Sequence, residues 1–226
     1  MQKDDQMKNL FYLDILNGGK YPYYSKTYFR EHNINLDIKD GDLEIINEHT
    51  ADFVGMSYYN SMISSNDGDQ LELTAGNVHS VYKNPHLDAN EWGWQIDADG
   101  LRYSLVDFYH RYYKPLFIVE NGIGIDETMK DGKVYDDERI AYYQKHIKAI
   151  NTAVEHDGVD LMGYLAWSPI DFLSSHKEIR KRYGFVYVDR DFEDLKELKR
   201  YPKKSFYWYK KVIESQGKDL ENDIDY

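Results

Sequence analysis

The residue whose type and position in this chain best suit catalytic chemistry is a glutamate, Glu120. Glu120 follows a short apolar run at 115–119 and precedes Asn121 and Gly122. Such a run is typical of a buried strand, and ligands in parallel α/β folds meet the carboxyl ends of the strands. The position therefore indicates a functional carboxylate. The alternative is a solvated loop residue before an Asn-Gly turn.

Alternating strands and helices must position this carboxylate. Short apolar runs predict buried strands at 51–59, 115–119 and 161–167. Amphipathic stretches predict helices at 11–16, 21–33, 43–48, 101–112, 136–155 and 202–216, and a long polar loop occupies 60–99. Strands that are apolar nearly throughout and alternate with helices predict an α/β fold with a parallel sheet.

Length and composition exclude several classes of protein. The 226 residues show no linker or repeat, which predicts a single domain over 1–226 with a polar tail at 218–226. There is no cysteine, which excludes a disulfide scaffold and is compatible with a cytoplasmic protein. No apolar run approaches the roughly 20 residues of a membrane span, and residues 1–6 do not resemble a signal peptide. We therefore expect a soluble protein without membrane contact.

Charge and motif content limit the partners further. With 28 Lys and Arg against 40 Asp and Glu, the formal charge is -12, which argues against binding nucleic acid. The sequence has no metal-ligand cluster, glycine-rich phosphate loop or nucleotide-binding fingerprint. We therefore expect no metal and no cofactor.

The segment around Glu120 resembles the nucleophile motif of glycoside hydrolase family 1. The motif is Phe-Ile-Val-Glu-Asn-Gly at 117–122, and Trp-Gly-Trp-Gln-Ile-Asp at 92–97 resembles the segment before the same strand. Members of that family are (β/α)8 barrels, and the resemblance covers about 9–214. It implies that Glu120 attacks the anomeric carbon, while a second carboxyl first donates and later removes a proton.

The predicted strand at 51–59 is similar to the family's sixth strand, which ends in a pair of tyrosines. Because side chains alternate along a strand, Tyr59 shares a face with Ser57, and Tyr58 points to the other face. A phenol beside the nucleophile can donate to its carboxylate and favour the ionised form. The resemblance implies this role for Tyr59; the alternatives are Tyr58 or simple packing.

The stretch at 165–185 resembles the family's eighth strand and the loop after it. Family members that act on unphosphorylated glucosides have Glu-Trp in place of Ser174 and Ser175. A carboxylate would repel a 6-phosphate, whereas serine, lysine and tyrosine can hold it. Ser174 or Ser175, with Lys181 and Tyr183, reproduces the phosphate-binding set of the family's 6-phospho-β-glycosidases.

Two choices in this stretch stay open. Counting forward from Trp167 favours Ser174 as the phosphate ligand, and counting back from Tyr183 favours Ser175. The cations at 177–182 could instead form a solvated basic patch. By the resemblance, Trp167 flanks the sugar and the aglycone, whereas no catalytic role is assigned to the tryptophans at 92 and 94.

The resemblance is strongest to the 6-phospho-β-glucosidase branch of the family. It implies retaining hydrolysis of 6-phospho-β-glucosides, such as phosphorylated cellobiose or aryl glucosides, to glucose 6-phosphate and an aglycone. Preference for glucosides over galactosides is the weaker part of this expectation, so a 6-phospho-β-galactosidase is an alternative. A β-glucosidase for unphosphorylated sugars is another.

The family's acid/base motif, Thr-x-Asn-Glu-Pro, is absent from the chain. The Asn-Glu pairs end at Glu48 and Glu91, and neither precedes proline. We therefore expect the C-terminal half of a (β/α)8 barrel, the last four or so β/α units, which alone is inactive. An N-terminal half-barrel or a second copy of the chain are the expected partners, and a non-catalytic phosphosugar-binding fragment is the competing function.

Overall fold

A computed structural model describes residues 2–66, 70–75, 80–174 and 177–226. Its helices are α1 (Gln2–Asp5), α2 (Phe11–Gly18), α3 (Ser25–Glu31), α4 (Asp42–Glu48), α5 (Ala98–Tyr112), α6 (Asp137–Glu155) and α7 (Lys204–Glu214), with a π-helical segment at Gln6–Leu10. Its strands are β1 (Val54–Tyr58), β2 (Leu73–Thr74), β3 (Val81–Tyr82), β4 (Leu116–Asn121), β5 (Ile125–Asp126), β6 (Leu161–Ala166), β7 (Lys181–Arg182), β8 (Val186–Val188) and β9 (Arg200–Pro202).

A parallel sheet of three strands carries the nucleophile candidate. Strand β4 lies between β1 and β6. The pairing of β1 with β4 shifts after Met56: Met56 lies opposite Ile118, but Ser57 lies opposite Glu120. Val119 is therefore an extra residue in β4. Such bulges re-aim the side chain that follows them and are frequent beside active sites.

Helices α5 and α6 cover one face of this sheet. Buried and exposed residues alternate along β1, so that Val54, Met56 and Tyr58 face the helices. They belong to one apolar core with Leu101 and Leu105 of α5, both fully buried. Burial of each such side chain contributes about 1.5–3 kcal/mol. This core fixes the sheet against the helices.

Helix α6 confirms the apolar stripe that the sequence predicts. Ile140, Tyr143, Ile147 and Ile150 are all buried. Part of this stripe packs in a second core together with Trp208 of α7. Helix α6 therefore joins the sheet to the C-terminal part of the chain.

The other face of the sheet is apolar and open. Phe53 and Phe117 contact each other there, with ring centroids 6.4 Å apart, and Val119 and Leu165 are exposed. Among the described residues, β1 and β6 each pair with β4 alone, so both outer edges of the sheet are unpaired. In a closed barrel, further strands would cover this face and these edges.

The observed elements differ from the predicted ones mainly at their ends and in the loops. The helices predicted at 21–33 and 202–216 are the shorter α3 and α7. Strands β2, β3, β5 and β7 have two residues each, too few for a periodic signal. About four β/α units are expected, and the described residues form three parallel strands, with α2 to α4 before them. No described helix is long and apolar enough to span a membrane.

Candidate active site

Glu120 lies at the carboxyl end of β4, half-buried, directly after the bulge. The hydroxyl of Tyr59 donates to its Oε2 at 3.0 Å. Burial, and then the neighbouring carboxylate, raise the pKa of Tyr59, so the phenol stays a donor at neutral pH. The hydroxyl of Tyr58 donates instead to the carbonyl of Asp97, at 2.7 Å. The structure thus brings Tyr59, and not Tyr58, to Glu120.

The backbone after Glu120 is held by its neighbours. The buried Asn121 amide donates to the carbonyl of Tyr58 at 2.7 Å and to the hydroxyl of Tyr142 at 2.9 Å, and its oxygen accepts from Tyr164 at 2.8 Å. At Gly122 a side chain would overlap the carbonyl oxygen of Trp167. Glycine is therefore required at 122, where the chain passes close to the end of β6.

Lys181 lies in a pocket of aromatic rings beside this corner. It is 4% exposed, and its Nζ is 3.6 Å from the ring centroid of Trp94. The centroids of Trp92 and Tyr183 are 5.8 Å and 5.9 Å away. Burial lowers the pKa of Lys181 to about 8, an effect that Glu91 partly offsets. An ammonium over indole and phenol rings is a cation–π arrangement, and it leaves the donors of Lys181 available for an anion.

Trp94 lies between Lys181 and the nucleophile candidate. Its ring meets Tyr59 edge-on at 5.7 Å between centroids, and Tyr183 at 6.5 Å. Trp94 is buried, and no catalytic role was predicted for it from the sequence. In the structure it joins the Tyr59–Glu120 pair to the Lys181 pocket.

The four cations at 177–182 do not form one patch. Lys177 and Arg180 are exposed, and Arg180 pairs with Glu178. Lys181 and Arg182 are buried, and Arg182 bonds Asp171 at 3.0 Å. The interpretation of a solvated basic patch therefore fits only the first two.

The structure describes two of the remaining predicted site residues. Ser174 is buried, and its Oγ accepts from the amide of Glu178 at 3.1 Å. Ser175 lies outside the described residues, so the choice between the two serines stays open. Trp167 follows β6, its amide donates to the carbonyl of Asn121 at 2.7 Å, and its ring meets Phe172 edge-on.

The chemical groups of this site are a carboxylate, phenols, one ammonium and indole rings. A carboxylate with a phenol donor can act as a nucleophile or as an electrostatic stabiliser. An ammonium beside a phenol can hold an anion. In the described ranges, no three His, Cys, Asp or Glu side chains are grouped so that they could hold a metal ion.

Comparisons with known proteins give the family. The sequence profile of glycosyl hydrolase family 1 matches residues 1–218. The aryl-phospho-beta-D-glucosidase BglH of Bacillus subtilis is 48% identical over 219 residues, which are 96% of this chain and 46% of BglH. A 6-phospho-beta-glucosidase of Dickeya chrysanthemi is 48% identical over 213 residues, 93% of this chain and 45% of that protein.

Solved structures agree with this result. The beta-glucosidase of Thermotoga maritima in complex with castanospermine matches with a TM-score of 0.78 at 29% identity, over 96% of this chain and 46% of that one. The chain belongs to glycosyl hydrolase family 1, and its fold is the C-terminal half of a (β/α)8 barrel. It spans just under half the length of the curated relatives that it matches.

Proposed function

We propose that this chain supplies the nucleophile and the phosphate-binding site of a retaining 6-phospho-β-glucosidase. One observation carries the proposal: the buried Lys181 lies against Trp94, whose ring also contacts the tyrosine that donates to Glu120. Trp94 thus contacts both the cation proposed for the phosphate, Lys181, and the tyrosine beside the proposed nucleophile. The names of the most similar relatives support the phosphorylated glucoside as the substrate.

Glu120 is the nucleophile in this proposal. Its carboxylate forms a bond to the anomeric carbon as the bond from that carbon to the aglycone oxygen breaks, and the aglycone leaves with a proton from a second carboxyl group. Water then hydrolyses the glycosyl ester, and the second carboxylate takes a proton from that water. Tyr59 holds the carboxylate in its attacking orientation through the 3.0 Å hydrogen bond.

Lys181 recognises the 6-phosphate. Its ammonium is desolvated in the free protein, because rings and not water surround it. A phosphate dianion replaces part of this lost hydration with charge-assisted hydrogen bonds. Tyr183 and one of Ser174 and Ser175 are the further donors in this proposal. The geometry favours Lys181 as the principal ligand, since it is the cation of the 177–182 cluster that is buried without a carboxylate partner among the described residues.

In this proposal the proton donor is a residue outside positions 1–226. No Asn-Glu-Pro motif occurs in the sequence. The open edges of β1 and β6, and the apolar face with Phe53, Phe117 and Leu165, are surfaces that the other β/α units of a barrel would cover. We propose that these units, on the same or another polypeptide, complete the site; a second copy of the chain is the alternative.

Complementation tests this function. The chain is purified alone and also after co-expression with the N-terminal half of the Bacillus subtilis relative, and hydrolysis of p-nitrophenyl-β-glucoside 6-phosphate is measured. We expect little or no turnover by the chain alone, because loss of a general acid costs about 10²–10⁴-fold and the chain covers only 46% of this relative. The co-expressed halves should be active, and Glu120→Gln should abolish that activity. An equal rate with the unphosphorylated glucoside would contradict the role of Lys181.

Phosphosugar binding without catalysis is the second candidate function. The Lys181 pocket favours this function, because Lys181 and the rings around it all belong to this chain. The acid/base motif that would supply the second carboxyl group does not occur in the sequence. Calorimetry with glucose 6-phosphate distinguishes the two functions. Binding that is lost in Lys181→Ala, kept in Glu120→Gln, and never followed by turnover in the complemented protein would favour this function over the enzyme.

A further inference from the structure

Arg139 of α6 uses every donor of its guanidinium although it is fully buried. An arginine side chain has five N–H donors in a fixed plane. Nε donates to Asp136 at 3.0 Å, Nη1 to the carbonyls of Ile123 at 2.7 Å and Tyr183 at 3.0 Å, and Nη2 to the carbonyl of Arg182 at 2.9 Å and to Glu127. Burial alone would lower the pKa of Arg139, but the two carboxylates raise it, so the group is charged.

The three carbonyl oxygens belong to the two segments that carry the site. Ile123 lies three residues after Glu120, and the other two carbonyls are those of the residues directly after Lys181. These segments are also joined by the antiparallel pair β5–β7, two residues long, and by an exposed ion pair of Arg180 with Asp126 at 3.5 Å. A two-residue ladder and an exposed ion pair constrain the segments little, whereas the buried planar guanidinium donates to carbonyl oxygens on both of them.

Other buried charges surround Arg139 without bridging these segments in the same way. Lys203 is also fully buried and bonds Glu127 and Asp171. Its ammonium donates to carboxylates and to no backbone carbonyl of the two segments among the described contacts. Lys203 shares Glu127 with Arg139, and its other partner, Asp171, bonds Arg182 at 3.0 Å, so Lys203 belongs to the same buried network and a control variant must lie elsewhere.

We propose that Arg139 is a positioning residue for the phosphate-binding site, which sets Lys181 and Tyr183 at their distance from Glu120. The proposal rests on the proposed function. A lysine at 139 would keep the charge that Asp136 and Glu127 require, but its three donors radiate from one nitrogen and do not span the three carbonyls. The charge and the positioning can therefore be separated by experiment.

The test compares Arg139→Lys with Arg111→Lys in the full chain; Arg111 of α5 donates from Nε and Nη2 to Asp14 of α2, at 2.6 Å and 2.7 Å, and donates to neither segment among the described contacts. For Arg139→Lys we expect the NMR-measured pKa of the Lys181 ammonium to rise from about 8 toward its ordinary value, since the pocket loosens and water enters. Affinity for glucose 6-phosphate should fall about tenfold. Arg111→Lys loses the same planar fork of donors away from the site, so it should lower the melting temperature and leave both quantities unchanged.

Two outcomes overturn the proposal: wild-type values in Arg139→Lys, or equal changes in both variants. If Arg139→Lys does not fold, the double variant Arg139→Gln/Glu127→Gln removes one charge of each sign and repeats the test. The pKa measurement needs no ligand. If wild-type chain does not bind glucose 6-phosphate, the proposed function fails, while the pKa of Lys181 still decides whether Arg139 positions it.

Discussion

The proposed phosphate-binding corner around Lys181 and the proposed nucleophile corner around Glu120 differ in how completely this chain builds them. Lys181 is surrounded by rings, and its strand rests on a buried charge network. Glu120 accepts from Tyr59, but the sheet beside it has an open face and, among the described residues, two unpaired edges. In the proposed enzyme, substrate recognition is therefore local to half of the barrel, whereas the chemistry requires a second carboxyl group from the other half.

Glu120→Gln is expected to have the largest effect, and it should change catalysis without changing phosphosugar binding. In the complemented protein, Glu120→Gln should lower kcat by at least about 10³-fold, because an amide cannot form the glycosyl ester. Affinity of the chain for glucose 6-phosphate should stay within a factor of two or so of wild type. Calorimetry and a chromogenic assay measure the two quantities. A parallel loss of binding would mean that the corners are not separable.

A substitution at Gly122 tests how closely the backbone after β4 approaches the carbonyl of Trp167 at the end of β6. A methyl group at 122 overlaps the Trp167 carbonyl, so Gly122→Ala should lower the free energy of unfolding by about 3 kcal/mol. Gly18→Ala is the matched control, because Gly18 ends a helix and a side chain there meets nothing within 4 Å. Urea unfolding measures both variants. Equal stabilities would show that the backbone at 122 shifts at little cost.

Lys181→Ala is expected to act mainly at the phosphate-binding corner. Loss of a charge-assisted contact of about 1.5–3 kcal/mol should weaken binding of glucose 6-phosphate about 10- to 100-fold. Lys177→Ala is the control, since Lys177 is exposed in the same loop. Similar losses in both variants would favour the solvated basic patch over the pocket.

The pKa of Lys181 gives the recognition corner its own pH dependence. Because that pKa is about 8 in the folded chain, affinity for the phosphate dianion should fall about tenfold per pH unit above pH 8. Between about pH 8 and 10.5, the ordinary pKa of lysine, the unfolded chain binds more protons than the folded chain. The free energy of unfolding should therefore rise with pH across this window. Titrations of wild type and Lys181→Met measure both slopes; identical slopes would exclude Lys181 as the titrating group.

Tyr59→Phe is the smallest of these changes. Removing the hydrogen bond to Glu120, worth about 1 kcal/mol, should lower kcat of the complemented protein about fivefold, with KM for the phosphorylated substrate nearly unchanged. Tyr58→Phe, which loses a bond to the Asp97 carbonyl, should affect stability and leave kcat near wild type. The reverse pattern would assign the orienting role to Tyr58.

The sequence predicts the sheet and its helices well because their apolar periodicity is long. The three barrel strands and the stripe of α6 follow from it directly. Strands β5 and β7, which contain Lys181 of the proposed phosphate-binding site, are two residues long, and no periodic signal exists at that length. Residues distant in sequence stabilise this region, among them Arg139, which donates to the carbonyls of Ile123 and Arg182.

The sequence predicts those residues of the proposed site whose own chemical group would react or bind. Glu120 and Lys181 are predicted from their residue type and their place in a motif. The proposed roles of Trp94 and Arg139 depend on their contacts, which join residues distant in sequence. The sequence does give one sign of Arg139: it is a charged residue directly before Ile140 of the apolar stripe of α6, and it lies seven positions before the buried His146. A charge so placed requires buried partners.

In the part of the chain that the structure describes, the outer edges of β1 and β6 are unpaired, and this affects which segment can cover them. Backbone N–H and C=O groups pair with any strand of suitable length and twist, so the edges alone discriminate poorly between candidates. The apolar side chains of the open face are more selective, because a strand shifted by one residue would turn its own apolar side chains away from Phe53 and Leu165. Many strands could therefore pair with these edges, but few registers would bury the open face. A strand paired in the wrong register would bind weakly and could dissociate before the barrel closes.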